Sequence, residues 1–190
     1  MHEVRIVGRG GQGVVTAGEL LGRAALRSGR QSQSIPTFGP ERRGALAQAT
    51  VRIDDEPILL KCTTAQPDAL IVLDPTIWHF ANVVLGLREG ATLIFNTPRD
   101  AAEVEDELRS GKHGYKAAAS SFQVRTVDAT GIALACLGRP ITNTAMLGAL
   151  ARATGFVELE DLAEVLVEHF GSRADVNLEA AKAAAAAMGS

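Results

Sequence analysis

The six residues Gly8-Arg9-Gly10-Gly11-Gln12-Gly13 stand directly between a short apolar run, Val4 to Val7, and an amphipathic stretch from Val14 to Arg27. Glycine permits the tight reversal that carries a strand into a helix, because positive φ is open to it and no Cβ obstructs the approach. The reversal leaves the first N–H groups of the helix without intrahelical acceptors, which suits an anion. Gly8, Gly10 and Gly13 also satisfy the G-x-G-x-x-G dinucleotide pattern. That pattern asks for an acidic residue about twenty positions on, to hold a ribose hydroxyl. The stretch in its place, Arg30-Gln31-Ser32-Gln33-Ser34-Ile35-Pro36, has no carboxylate. The loop argues for the fold more strongly than for a nicotinamide cofactor.

Short continuous apolar runs at Ala69 to Asp74 and Ala91 to Asn96 fit strands covered on both faces. Gln123 to Asp128 alternates polar and apolar residues, as a half-exposed strand does. Ser32 to Glu41, polar and interrupted by prolines, reads as a loop. Ala47 to Ile53 and Pro57 to Lys61 read as two arms of a β-hairpin about Asp54-Asp55-Glu56. Helices are predicted over Thr76 to Leu87, within Asp100 to Lys116, and over Ala129 to Leu137. Three more follow: Asn143 to Thr154 with Gly155 as its stop, Leu159 to Phe170, and the alanine-rich Asn177 to Met188. Residues 1–190 read as a single α/β domain. Its predicted architecture is a Rossmann-like, mostly parallel sheet with flanking helices, a β-hairpin insertion and a helical C-terminal part.

A formal net charge of −3 argues against a general electrostatic grip on nucleic acid. No window is apolar for long enough to span a membrane, and no leader pattern opens the chain, so a cytoplasmic location is expected. Two cysteines, Cys62 and Cys136, cannot supply the four thiolates of an iron–sulfur cluster; each reads as a buried free thiol. His2, His113 and His169 show no metal-ligand spacing, and His79 beside Trp78 reads as a surface or interface residue. Asp74 stands at a strand end, where ligand clefts of open α/β sheets form, and caps the next segment in this reading. Thr63, Thr64 and Gln66 are candidates to line the same cleft.

A second unusual stretch is Ser34-Ile35-Pro36-Thr37-Phe38-Gly39-Pro40-Glu41-Arg42-Arg43-Gly44. Prolines and glycines define its path, and Arg42 and Arg43 are forked donors suited to carboxylate or phosphate, with Glu41 beside them as a competing partner. Gly-x-Gly-Gly-Gln-Gly after a first strand, followed by a helix and then Phe-Gly-Pro-Glu-Arg-Arg-Gly, resembles the gamma subunit of 2-oxoacid:acceptor oxidoreductases. The resemblance continues through Ala49 to Ile53, Pro67-Asp68, Pro140-Ile141-Thr142-Asn143-Thr144-Ala145-Met146-Leu147-Gly148 and Asn177. It covers nearly the whole chain.

The resemblance implies a complex that oxidatively decarboxylates a 2-oxoacid, such as pyruvate or an aryl-glyoxylate like phenylglyoxylate, to the acyl-CoA. Thiamine diphosphate, Mg2+ and [4Fe–4S] clusters are then expected in alpha, beta and iron–sulfur (delta-type) partners, with coenzyme A as co-substrate. Electrons pass to ferredoxin, or to NAD through an additional flavin subunit. This chain contributes no catalytic residue and no cofactor of its own in that picture. Phe38, Gly39, Pro40, Glu41, Arg42 and Arg43 would face a partner, and Gly8, Gly10, Gly11, Gln12 and Gly13 either hold a coenzyme A phosphate or serve close packing. The competing readings are a free-standing NAD(P)-binding oxidoreductase, with Arg30, Arg42 or Arg43 meeting a 2′-phosphate, and a regulatory nucleotide-binding module.

Overall fold

The computed structural model of the chain describes residues 1–38, 45–60, 66–112 and 122–188. Six strands, β1 (His2–Arg9), β2 (Gln31–Phe38), β3 (Leu46–Asp54), β4 (Ala69–Val72), β5 (Thr92–Asn96) and β6 (Gln123–Val127), form one sheet in the order β2-β3-β1-β4-β5-β6. β1, β4, β5 and β6 run parallel, with Val4 opposite Ala69, Ala69 opposite Thr92 and Thr92 opposite Gln123. β3 is antiparallel to both β1 and β2. Among the described residues the α-helices are α1 (Val14–Arg27), α2 (Ala101–Ser110), α3 (Ala129–Leu137), α4 (Asn143–Thr154), α5 (Leu159–Phe170) and α6 (Ala174–Ala187).

Strand alternation sorts the core into two layers. Val4, Ile6, Ala49, Val51 and Ile53 face α1 and the C-terminal helices, while Val7, Leu70, Val72, Leu93 and Phe95 pack with Trp78, Val104 and Leu108 on the opposite face. The alanine-rich tail is part of the first layer. Ala180, Ala181 and Ala184 of α6 are fully buried against α4, while Asp175, Val176, Glu179 and Lys182 on its other side are exposed, so the helix packs inward along one face and meets solvent along the other. α6 also begins before Asn177, which is buried within it and accepts a bond from Thr144 Oγ1.

Two predicted elements are replaced. The hairpin expected about Asp54-Asp55-Glu56 does not form: Pro57 to Leu60 is not a strand, Lys61 lies outside the described residues, and the antiparallel partner of β3 is β2, within the stretch that reads as a loop. β2 escapes a hydrophobic pattern because it is an edge strand whose inward residues are serines. Ser34 and Ser32 sit where a Cβ on Gly18 or Gly22 of α1 would come within 2.8 Å of their hydroxyls, so small residues on both sides allow helix and strand to touch. The helix predicted over Thr76 to Leu87 is a single 3-10 turn, Ile77–His79, followed by turns. Ile77, Trp78, Val83 and Val84 are buried at a spacing no helix face provides. The carbonyls of Val83 and Leu85 accept from Arg5 Nη1 at 3.3 and 2.7 Å, and the Val83 carbonyl is one that a helix over this span would have given to the Leu87 N–H.

Candidate functional site

β1 and β4 lie side by side and parallel, and their C-terminal ends deliver the Gly8–Gly13 loop and Asp74 to the same edge of the sheet. Each glycine is there for a separate reason. A Cβ on Gly8 would stand 2.9 Å from Val14 Cγ2 and 3.2 Å from Leu73 Cβ, so Gly8 permits close strand–helix packing. Gly11 (φ 97°) and Gly13 (φ 78°) occupy left-handed backbone that other residues enter only with strain. Gly10 is not in left-handed backbone, and its N–H donates to the Ala45 carbonyl at 2.9 Å.

Gln12 acts as an internal clasp. Its Oε1 accepts the Arg9 N–H at 2.7 Å, and its Nε2 donates to Asp74 Oδ2 at 2.7 Å. Asp74 collects further donors: Arg9 Nε at 3.2 Å, the Thr76 N–H at 2.8 Å and Thr76 Oγ1 at 2.6 Å. Arg9 also donates to Thr76 Oγ1 and lies 5.9 Å from the ring centroid of the exposed Phe80. Burial pushes the Asp74 carboxyl upward, but the Thr76 hydroxyl and N–H, Gln12 and the Arg9 charge outweigh it and hold it below the usual carboxylate range. Asp74 does turn the chain into the Thr76 segment, and it also ties the glycine loop to β4.

A carboxylate whose folded-state pKa is depressed contributes stability that is fully present above its unfolded value, near pH 3.9, and lost as the pH falls through the lower folded value. The stability gap between the parent protein and Asp74→Asn is therefore expected to stay constant above about pH 5 and to narrow below about pH 4. Thermal unfolding of the two proteins across that range measures it. A gap that widens on acidification refutes the clasp.

The remaining expected groups are dispersed. Cys136 is half-buried, and its thiol is pushed up by burial and by Glu179; Cys62, His113, Thr63 and Thr64 lie outside the described residues. His2 stacks on Phe156 at 4.2 Å, His169 meets the edge of Phe170, and half-exposed His79 lies 3.9 Å from Glu107. Gln66 is exposed. Of the arginine-bearing segment, only the main chain of Phe38, paired opposite Ala47, belongs to the described residues; 39–44 do not. Among the described residues no group of His, Cys, Asp and Glu could hold a metal ion, and no helix is long and apolar enough to cross a membrane.

The dinucleotide alternative meets a topological obstacle. In that motif the strand beside β1 runs parallel to it and presents its acid at the loop. Here the neighbour on that side is the antiparallel β3, which brings its first residue, Leu46, and the preceding Ala45 to the loop instead. Arg30 is committed to Asp55 and the Phe156 carbonyl, beside the far end of β3.

Sequence reasoning missed Asn143. The residue begins α4, is 4% exposed, and presses its carboxamide against Gly13, where a Cβ would stand 2.6 Å from Nδ2. It stood within the Thr142-Asn143-Thr144 motif, but nothing in the spacing said which loop it would meet.

The model of the pyruvate ferredoxin/flavodoxin oxidoreductase family matches residues 3–187. The chain is 46% identical to the "Pyruvate/ketoisovalerate oxidoreductases common subunit gamma" of Thermococcus kodakarensis, covering 97% of this chain and 95% of that protein. It is 43% identical to pyruvate synthase subunit PorC of Methanocaldococcus jannaschii over the same shares of each chain. The crystal structure of pyruvate oxidoreductase subunit PORC from Thermotoga maritima superimposes with a TM-score of 0.79 at 36% identity, covering 97% and 95% of the two chains. A match spanning the glycine loop, the mixed sheet and the helical C-terminal layer leaves one assignment: the chain belongs to the pyruvate ferredoxin/flavodoxin oxidoreductase family, where its full-length relatives include a common subunit gamma and a PorC subunit.

Proposed function

We propose that this chain is a supporting gamma subunit of a cytoplasmic 2-oxoacid oxidoreductase complex, built to shape and join the assembly while partner chains carry the chemistry. The carrying observation is the full-length likeness to a gamma subunit whose name makes it common to pyruvate and ketoisovalerate oxidoreductases. One gamma chain serving two substrates supports a 2-oxoacid pocket located in other subunits, and pyruvate or a branched-chain 2-oxoacid as the substrate here. Thiamine diphosphate, Mg2+ and [4Fe–4S] clusters belong to alpha, beta and delta-type partners in this reading, with ferredoxin, or NAD through a flavin subunit, as acceptor. The segment Phe38, Gly39, Pro40, Glu41, Arg42 and Arg43, which follows the edge strand in sequence, is the proposed contact to a partner. The Gly8–Gly13 loop is the proposed seat for a phosphate of coenzyme A, since α1 begins there with uncapped N–H groups.

Isolation of the native assembly through a tagged copy of this chain is the test. Alpha, beta and cluster-bearing chains are expected to co-purify in fixed ratio, and loss of this chain is expected to abolish coenzyme A-dependent oxidation of the 2-oxoacid. A stable monomer with redox activity of its own refutes the reading.

A further inference from the structure

α3 is apolar on every side, yet one of its sides meets solvent. Its nine residues, Ala129-Thr130-Gly131-Ile132-Ala133-Leu134-Ala135-Cys136-Leu137, carry no charge and one hydroxyl. A helix of that composition belongs in an interior. Ala129 and Ala133 are buried in the core, but Leu134 is 50% exposed, Ala135 beside it is exposed, and Ile141 just past the helix is 42% exposed. Charges stand only beyond its two ends. Asp128, exposed, lies six residues before Leu134, and its Oδ1 accepts the Gly131 N–H at 2.8 Å. Arg139, also exposed, lies five residues after Leu134. Among the described residues no cation pairs with Asp128 and no carboxylate pairs with Arg139.

We infer that α3 docks against α3 of a second copy of this chain, the two helices crossing antiparallel about Leu134. The charges identify the occupant. A two-fold contact presents the same patch from both sides, so a surface that fits itself must carry its own complement. Antiparallel crossing about Leu134 brings Asp128 of each copy to Arg139 of the other, because the two stand almost equally far on opposite sides of the centre. The same crossing sets the positive end of each helix beside the negative end of its copy. A parallel crossing would oppose Asp128 to Asp128 and Arg139 to Arg139, and like charges so placed cost affinity. Leu134, at the middle, is the apolar anchor, and Ala135 next to it offers only a methyl group, which leaves the copy room to approach. The contact joins two copies of the chain and is independent of the supporting-subunit reading, which concerns other chains.

The test is sedimentation velocity of the purified full chain between micromolar and millimolar concentration. A monomer–dimer equilibrium is expected, and Leu134→Asp is expected to weaken it about thirtyfold or more. Ala135→Glu, on the exposed neighbour, is the second variant should the first disturb the fold by circular dichroism. Arg139→Glu and Asp128→Lys should each weaken association about tenfold when alone, since each sets like charges against one another. Mixed in equal amounts, the two should form a mixed dimer as tight as the parent, because every end then faces its opposite. A chain that stays monomeric throughout overturns the inference, as does a dimer that neither Leu134→Asp nor Ala135→Glu weakens. A mixture no tighter than its components overturns the antiparallel crossing. If the isolated chain is monomeric while Leu134→Asp blocks its entry into the native complex, the occupant is another subunit and the second copy is refuted. Co-purification of partner chains, which tests the supporting-subunit reading, is decided separately from all of these results.

Discussion

Gly148→Ala is expected to destabilise the protein by roughly 2–4 kcal/mol, although alanine is the better helix former by about 1 kcal/mol. The Cβ would be placed 2.0 Å from the Ala181 carbonyl oxygen, 2.6 Å from its carbon and 2.7 Å from its Cα. These are main-chain atoms, so no rotamer change relieves the overlap; α4 and α6 must separate. Separation opens a seam formed by Ala145, Ala149, Ala180, Ala181 and Ala184, all fully buried, and strains the buried Thr144–Asn177 hydrogen bond. In a domain of this size the melting temperature should fall by about 2–4 °C per kcal/mol. Ala181→Gly on the same background should restore nothing, because it removes a side chain and leaves the obstructing carbonyl. An unchanged or raised melting temperature for Gly148→Ala refutes the close crossing.

The same seam shows what a sequence conveys and what it hides. α1, α4 and α5 run over the residues that periodicity and end signals marked, and Gly155, in left-handed backbone at φ 64°, closes α4 as a local stop. Those signals act over a turn or less. The role of the alanine-rich tail is decided by Gly148, some thirty positions earlier in the chain, and composition alone left open whether the helix packed inward. β2 was hidden because its inward serines answer glycines on α1, a match visible only once helix and strand are paired. The Thr76 segment departs from a helix where Arg5, about eighty residues away, holds the Val83 and Leu85 carbonyls, a contact that no local pattern announces. The site divides similarly. Its glycines were legible from local backbone demands, whereas the Gln12–Asp74 clasp and the Asn143 contact require partners brought together by the β1–β4 crossover and by α4.

Arg52→Ala should cost roughly 3–5 kcal/mol, more than its loss of apolar contact explains, because it strands a buried carboxylate. Arg52 is fully buried on β3 opposite Glu3 of β1, and its Nε donates to Glu3 Oε2 at 2.9 Å. Its Nη1 also reaches Gln33 Oε1 and the Leu60 carbonyl, each at 3.1 Å, so one side chain ties three strands' worth of polar groups to the segment after β3. Glu3 has no slack with which to adjust: its Oε1 is buried with no hydrogen bond among the described residues. Taking Arg52 away leaves that charge with Arg5 nearby, whose Nη1 is already engaged by two carbonyls. Neutralising both ends together, as Glu3→Gln with Arg52→Met, avoids the stranded charge and should cost less than the sum of the single changes by more than about 1 kcal/mol. Urea unfolding of the four proteins of this cycle measures the coupling directly. Additive costs would show that the pair is merely buried side by side, and that the polar face of the antiparallel half of the sheet is held by its main-chain bonds alone.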